Sequence, residues 1–349
     1  MTERLERDRP RLAVTLGARR PLGRVTSLRP AGDAHGGGRR VTKLRFESGL
    51  TLIYKPHPVG LEVIWGRAVG WLAARSGLGP FRTPAILART GYGWIEYLRP
   101  RRPASPAGEE RLARRAGALL ALLDILEVRD VHRDNLIAVG EQPVLVDAET
   151  LAHPRFAPFE RVPSLALSGF VPSPDRADDR SGLGGLLPDP APHLGALIDG
   201  YRLGFGAIAR HRTELLGPRG ALRGLAGQPT RVILRPTESY SSGMKRGLEW
   251  PGPDAPPLPL PTRCRGAIVA AERRALARGD VPLFQAIASK TDLLSDGRVI
   301  VPGCFRRSAL SWIADRLERL SPLEEAANLE VLQGTAAVAA LARLALGPR

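Results

Sequence analysis

Cysteine is scarce in this sequence, and long apolar runs are missing. The two cysteines, Cys264 and Cys304, lie in no C-x-x-C pair and beside no histidine, which argues against a structural zinc site and fits a reducing cytosol. The first eight residues are charged throughout and lack the apolar core of a signal peptide. No stretch approaches the roughly 20 apolar residues of a membrane helix. We therefore expect a cytoplasmic protein without a membrane span.

Lysine is also rare, so the net charge of +16 comes almost entirely from arginine. The sequence has no RNA-binding aromatic motif and no regular basic helix, and we expect no nucleic-acid partner. A basic surface attracts ATP or an acidic peptide equally well. With 349 residues, 43% of them hydrophobic, the chain can form one large or two medium domains.

The hydrophobic pattern predicts an α+β protein. Residues 1–32 are rich in arginine and interrupted by proline, which predicts a tail or a loose strand. Alternating residues predict strands, and apolar residues at helical spacing predict helices. Strands are predicted at 40–46, 50–55, 94–98 and 231–235, and helices at 61–77, 109–127, 195–210, 266–278, 307–320 and 322–345.

The most informative stretches are 130–135, which reads DVHRDN, and 146–149, which reads VDAE. Two short apolar runs flank the three residues 140–142 between them, a pattern typical of a β-hairpin. If Val139 faces Pro143, then Asn135 faces Asp147 at the open end, where an amide and a carboxylate can share Mg²⁺. Protein kinases use the same layout, although an ordinary hairpin with polar ends is the alternative.

Three further features fit a nucleotide site. Lys55 ends a predicted strand, where kinases place a phosphate-binding lysine, and the alternative is a solvated edge lysine. The glycines at 36–38 expose backbone N–H groups that could cradle phosphate, although flexible loops look the same. Glu96 and Leu98 end a strand before a proline-rich break, where a kinase has its adenine-binding hinge.

Two other groups of residues suggest proton transfer and anion binding. Asp33 and His35 precede the glycines, where an acid and an imidazole beside phosphate could move a proton. Arg231, Arg235 and Thr237 are predicted to lie along one strand, with both arginines on one face as a phosphate site requires. Solvated turn and strand residues are the alternatives.

Taken together, these residues resemble the dehydratase domain of the class II lanthipeptide synthetases. The motifs that carry the resemblance are Gly32-Asp33-Ala34-His35, Tyr54-Lys55-Pro56, Asp130-Val131-His132 with Asn135, Asp147 with Glu149, and Arg231 to Thr237. The resemblance implies a two-lobed kinase-like fold similar to lipid kinases. It implies a β-rich nucleotide-binding N-lobe at 33–98 and a mostly helical C-lobe at 99–349, with a catalytic hairpin at 130–149 and elimination elements at 231–240.

Enzymes of that kind phosphorylate Ser and Thr of a ribosomal precursor peptide with ATP and Mg²⁺, then eliminate the phosphate. By resemblance, Lys55 binds ATP phosphates, Asp130 is the base and His132 supports the phosphoryl group. Asn135, Asp147 and Glu149 are implied as the magnesium site. The implied elimination residues are Asp33, His35, Arg231 and Thr237.

The sequence departs from that family in two places. Only about 30 residues precede the Gly-Asp-x-His motif, fewer than is usual, and no zinc cyclase follows, so ring closure is expected to need a separate cyclase. The high positive charge suggests a precursor peptide with an acidic leader. The alternatives are a peptide or small-molecule kinase without elimination, and an inactive pseudo-enzyme that binds a precursor peptide.

Overall fold

The computed structural model describes residues 1–17, 21–160, 162–172, 180–240, 244, 250–252 and 255–346, with side chains to residue 334. The strands are β1 Val25–His35, β2 Arg39–Phe46, β3 Thr51–Lys55, β4 Ile86–Arg89, β5 Tyr92–Glu96, β6 Leu136–Val139, β7 Gln142–Leu145, β8 Pro229–Val232, β9 Phe284–Ile287, β10 Leu293–Ser295 and β11 Arg298–Val301. The helices are α1 Thr2–Thr15, α2 Gly60–Ser76, α3 Pro106–Ile125, α4 Gly182–Leu186, α5 Leu194–His211, α6 Thr213–Leu216, α7 Thr262–Ala277, α8 Ala309–Arg319 and α9 Pro322–Leu346. The predicted α+β class is confirmed.

A five-stranded antiparallel sheet, in the order β1-β2-β3-β5-β4, forms the first part of the chain. Helix α1 covers it, because Leu5 and Leu12 share a buried cluster with Leu44 and Phe46 of β2. Residues 1–32, predicted as a tail or a loose strand, contain a packed helix and most of β1. The prediction followed the high arginine content and overlooked leucines at helical spacing. Burial of these leucines against the sheet stabilises the helix.

Asp8 fixes α1 to this sheet. Its buried carboxylate accepts hydrogen bonds from Tyr92 Oη at 2.7 Å, from Trp94 Nε1 at 2.9 Å and from Arg89 Nε at 2.8 Å. Burial opposes ionisation of Asp8, but these donors outweigh it and lower the pKa of Asp8. The ion pair with Arg89 and the two aromatic donors make a carboxylate the required group at this position.

Helices α3 and α5 form the centre of the largest buried cluster. They approach so closely that a Cβ atom on Gly117 would lie 1.9 Å from Leu197 O, and one on Gly200 would lie 1.8 Å from Arg114 O. Helix α3 begins at Pro106, after the N-cap residue Ser105, whose side chain accepts from Gly108 N at 3.2 Å. This rigid pair fixes the point from which the chain enters the segment at 126–135.

The hairpin β6–β7 follows that segment with a register one residue away from the predicted one. Val139 pairs with Gln142 and Ala138 with Pro143, so the connection has two residues and Asn135 lies opposite Val146, not Asp147. Val146 N donates to Asn135 O at 2.8 Å. Gly140, with φ of 63°, permits the tighter turn, and its freedom is what the three-residue prediction missed.

A four-stranded antiparallel sheet, in the order β11-β10-β9-β8, lies in the region predicted to be mostly helical. The turn between β10 and β11 is Asp296-Gly297, with φ of 50° and 74°. An Asp-Gly pair between apolar runs is a strong hairpin signal, and the prediction of a mostly helical region at 99–349 overlooked it. Strand β8 ends at Val232, so Arg235 and Thr237 lie beyond it and the predicted strand at 231–235 is shorter than expected.

Among the residues that the structure describes, no helix is both long enough and apolar enough to cross a membrane.

Replacing Asp8 by alanine is expected to lower the free energy of unfolding by about 3–5 kcal/mol, because it leaves Arg89 without its buried partner. The measurement is a urea titration followed by circular dichroism. Glu6→Ala, which removes an exposed ion pair with Arg9 on the same helix, is the control and should change little. Equal effects of the two substitutions would contradict the anchoring role of Asp8.

Candidate functional site

Lys55 is the centre of the site. Its side chain is 4% exposed, and its Nζ lies 2.8 Å from Glu62 Oε1 and 2.8 Å from Asp147 Oδ1. Burial disfavours the ammonium, but Asp147, Glu62 and Glu149 outweigh burial and raise the pKa of Lys55. The ammonium therefore joins the end of β3, helix α2 and the residues after β7.

Glu62 is a site residue that the sequence analysis missed. It lies in the first turn of α2, and its side chain is 6% exposed among apolar neighbours. A helix whose buried face carries one acid seven residues after a strand lysine was the available signal. A strand lysine paired with a helix glutamate is the arrangement that kinases use.

The loop before β6 brings Asp130, His132 and Asn135 together. Asn135 Nδ2 donates to Asp130 O at 3.0 Å, and His132 Nε2 lies 3.5 Å from Asp130 Oδ1. Asp130 has φ of 59°, a left-handed conformation that aspartate tolerates better than most residues. The hydrogen bonds of Asn135 hold this conformation and leave Asn135 Oδ1 as a potential ligand.

Burial raises the pKa of Asp130, and the charges of His132 and Arg231 oppose that effect only in part. Asp134 N donates to His132 Nδ1 at 3.2 Å, and Nε2 is the ring nitrogen that faces Asp130. A carboxylate with a raised pKa is suited to accept a proton near neutral pH.

Glu149 and Arg231 form the next ion pair along the site. Arg231 Nη1 donates to Glu149 Oε1, and Arg231 N donates to Glu149 O at 2.8 Å, so β8 is attached to the segment after β7. Burial opposes ionisation of Glu149, but Arg231 and Lys55 lower its pKa to about 2. Arg231 Nη2 lies 3.4 Å from Thr237 Oγ1. The predicted elimination residues Arg231 and Thr237 are therefore in contact.

His35 ends β1 with a defined tautomer. Its Nδ1 lies 2.8 Å from Val281 O, which can only accept, so Nδ1 carries the proton and Nε2 of the neutral ring holds a lone pair. Burial and the nearby Arg231 lower the pKa of His35. The ring is thus kept neutral with an available basic nitrogen.

One cleft of about 930 Å³ brings most of the predicted residues together. Its lining includes the predicted residues Asp33, His35, Asp130, His132, Asn135, Asp147, Glu149, Arg231 and Thr237. This size is typical of small-molecule sites. Lys55 lies directly behind it, in contact with Asp147.

The predicted nucleotide-binding glycines have a different role here. Gly37 N and Gly38 N donate to the carboxylate of Asp280 at 2.6 and 2.8 Å. Burial opposes ionisation of Asp280, but these hydrogen bonds lower its pKa. Gly36 turns with φ of 53° and faces Arg39. The glycine turn at 36–38 is therefore fastened to residue 280, and the N–H groups of Gly37 and Gly38 already have a partner.

Glu96 and Leu98 lie outside the cleft. The carboxylate of Glu96 binds Arg82 and accepts from Ala85 N at 3.0 Å. Arg235 also departs from the prediction, since its Nε donates to the buried Glu272 at 2.9 Å and it does not share a strand face with Arg231. The pairing of each arginine with its own carboxylate removes the need for a shared anion.

The charges of the site favour a cation. Lys55 and Arg231 are surrounded by Glu62, Asp147 and Glu149, which leaves one negative charge in excess before Asp130 is counted. Within the described residues, no group of three or more His, Cys, Asp or Glu side chains forms a metal site. Arg231 engages Glu149 and Lys55 engages Oδ1 of Asp147, so Asn135 Oδ1 and the second carboxylate oxygen of Asp147 are the atoms that could bind Mg²⁺.

Fold and site define an α+β protein with a buried lysine–carboxylate cluster beneath a large cleft. A family model described as "Domain of unknown function (DUF4135)" matches residues 1–168 and 171–249, and the chain belongs to this family. The chain is also similar to the lacticin 481/lactococcin biosynthesis protein LcnDR2 of Lactococcus lactis subsp. lactis, with 27% identity over 136 residues. The match covers 36% of this chain and 14% of that protein.

Lys55→Ala is expected to lower the free energy of unfolding by about 3–5 kcal/mol at neutral pH, because it leaves buried carboxylates unpaired. Lys55 holds down the pKa of Asp147, so its loss raises that pKa further. A carboxyl whose folded-state pKa is raised gains stability as the pH falls, and the defect should therefore shrink at about pH 5.

The measurement is urea unfolding at both pH values. Lys290→Ala, at an exposed lysine, is the matched control and should change the free energy of unfolding by less than about 0.5 kcal/mol. A Lys55→Ala defect of the same size at both pH values would contradict the ion-pair account.

Proposed function

We propose that this protein is a lanthipeptide-type dehydratase with a kinase-like two-lobed fold. It transfers phosphate from ATP to Ser and Thr of a ribosomally made precursor peptide and then eliminates that phosphate, giving dehydroamino acids. The similarity to a lacticin 481/lactococcin biosynthesis protein supports a role in modifying such peptides. The contacts within the cleft support the two chemical steps.

In the first step, Asp130 accepts the proton of the substrate hydroxyl. The hydroxyl oxygen bonds to the γ-phosphorus of ATP, and ADP leaves. The pKa of Asp130, raised by burial, suits this role. Lys55, oriented by Glu62 and Asp147, binds the phosphates, and His132 supports the group in transfer.

Asn135 and Asp147 would hold Mg²⁺, and the negative excess around Lys55 fits a divalent ion. Bound there, the ion would neutralise charge on the phosphates. Glu149 assists indirectly, because its ion pair with Arg231 fixes the segment that carries Asp147.

In the second step, a base removes the α-proton, the Cα–Cβ double bond forms, and the Cβ–O bond to phosphate breaks. His35 is the base that the structure supports best, because its Nε2 lone pair is available and its ring is kept neutral. Asp33 lies at the same wall. Arg231 and Thr237 bind the leaving phosphate, which gains charge as the bond breaks.

The observation that carries the proposal is the shared cleft. Asp130 and Asp147 line the same cavity as His35, Arg231 and Thr237, so a phosphorylated side chain need not leave the site before elimination. A kinase without elimination has no need of a neutral histidine opposite an arginine. The basic chain suits an acidic leader on the precursor peptide.

Asp130→Asn and His35→Asn are expected to separate the two steps. Asp130→Asn should lower the rate of phosphorylation by about 10²- to 10⁴-fold, whereas His35→Asn should leave phosphorylation intact and accumulate phosphopeptide. The full chain is incubated with ATP, Mg²⁺ and the precursor peptides encoded beside its gene, and peptide mass reports phosphate gained or water lost.

A second assay supplies a synthetic phosphoserine peptide, so that elimination is measured without the kinase step. Here Asp130→Asn should behave as the unaltered protein and His35→Asn should be slow. His211→Asn, at an exposed histidine outside the cleft, is the matched control. Phosphopeptide as the final product of the unaltered protein would refute elimination, and no mass change with any peptide would refute both steps.

A further inference from the structure

A second cavity of about 200 Å³ adjoins the main cleft at Asp130. Its apolar wall consists of Pro154, Phe156, Phe159, Leu167 and Ile233, and we call this cavity the side pocket. Asp130, Phe156, Phe159 and Ile233 also line the main cleft, so the two cavities meet beside the proposed base. Neither phosphoryl transfer nor elimination, as described above, uses the side pocket.

The aromatic wall of the side pocket is built in part from fixed rings. Phe156 is 8% exposed, contacts the His153 ring edge-on at 5.4 Å between centroids and stacks on Phe305 at 6.2 Å. Phe159, in contrast, is 37% exposed. One wall is thus rigid, and the other has an apolar face available to a ligand.

The polar residues of the side pocket are turned away to other partners. His153 Nδ1 donates to Pro154 O at 2.8 Å and its Nε2 accepts from Ile233 N at 3.1 Å, so the ring is neutral and both nitrogens are used. Burial, with the nearby Arg129, lowers the pKa of His153 to about 3. The ring therefore offers its carbon face.

The two arginines at the side pocket are likewise engaged. Arg129 binds Ser164 and Glu127, and Arg155 directs its terminal nitrogens to Glu127 and to the carbonyls of Glu160 and Val162. The Nε of Arg155 has no protein partner, which leaves one N–H donor. Glu127 and Asp130 carry two negative charges against the two arginines, so the side pocket has little net attraction for an anion.

We propose that the side pocket binds an apolar side chain, aromatic or aliphatic, next to the Ser or Thr that is modified. The inference rests on the proposed function and names its substrate class. Neighbouring residues of a peptide are about 3.8 Å apart at Cα, so a hydroxyl at Asp130 leaves a nearby side chain within reach of the entrance, which Asp130 also lines. Apolar cavities of about 150 Å³ accommodate benzene, and this one is large enough for a phenyl or isobutyl group.

The test is a binding titration of the full chain with N-acetyl-4-fluorophenylalaninamide, followed by fluorine NMR without ATP. Leu167→Trp fills the side pocket from the wall that the main cleft does not share, and it should weaken binding by about tenfold or more. Leu216→Trp is the same substitution at a leucine that is 38% exposed and lines neither cavity, and it should bind as the unaltered protein does.

Phe159→Ala provides a second variant, because an exposed side chain can be removed without loss of the fold. It should also weaken binding of the probe, whereas N-acetylglycinamide should not displace the probe from any variant. Equal affinity of the Leu167→Trp and Leu216→Trp proteins, or displacement by the glycine compound, would overturn the assignment.

A peptide assay then connects the side pocket to the proposed reaction. Peptides with Phe next to Ser should be phosphorylated more efficiently than those with Gly, and Leu167→Trp should abolish that preference while the Gly peptides still react. A preference that survives Leu167→Trp overturns the side pocket alone. If no peptide is phosphorylated, the proposed function fails, and the binding titration by itself decides the side pocket.

Discussion

Everything around the cleft depends on pairing one buried ammonium. An unpaired lysine at 4% exposure would be strongly unfavourable, so Lys55 requires Glu62 and Asp147 at the distances observed. These three residues come from β3, from α2 and from the segment after β7, which belong to different parts of the fold. Satisfying the ammonium therefore sets the position of the hairpin relative to the five-stranded sheet. A change of hairpin register would move Asp147 and leave the ammonium with one partner.

The ionic contacts continue from the first sheet to the second. Glu149 follows Asp147 by two residues, accepts from Arg231 of β8 through both its side chain and its backbone, and so attaches the four-stranded sheet to the hairpin. On the opposite wall, residues 280 and 281 hold the turn after β1 and the ring of His35. The cleft is thus closed at two points by contacts between distant segments. These polar contacts determine the shape of the cleft, and the buried apolar clusters stabilise the fold that carries them.

The sequence pointed to residues that line one cleft, but it missed several elements of the fold. Asp130, Asn135 and Asp147 were expected together because a short hairpin brings its ends close, and they line the same cleft although Asn135 lies opposite Val146 and not Asp147. Helix α1 was missed because its leucines are stabilised by a sheet formed from later residues. Glu62 was missed because the sequence does not show that this single acid in an apolar helix lies against the ammonium of Lys55. The hydrogen bonds from Gly37 N and Gly38 N to Asp280 join residues more than 240 positions apart in the sequence, and no local sequence pattern reveals them.

Burial acts on the two proposed bases in opposite directions and suits both to one cleft. It disfavours charge, and so it raises the pKa of the Asp130 carboxyl and lowers the pKa of the His35 imidazole. Arg231 reinforces the effect on His35 and opposes it on Asp130. A carboxylate made more basic can take a hydroxyl proton, and a histidine kept neutral can take a carbon-bound proton, within the same solvent conditions. Burial is the largest cause of both shifts, so a change that exposes both groups to water should bring both pKa values back toward their ordinary values.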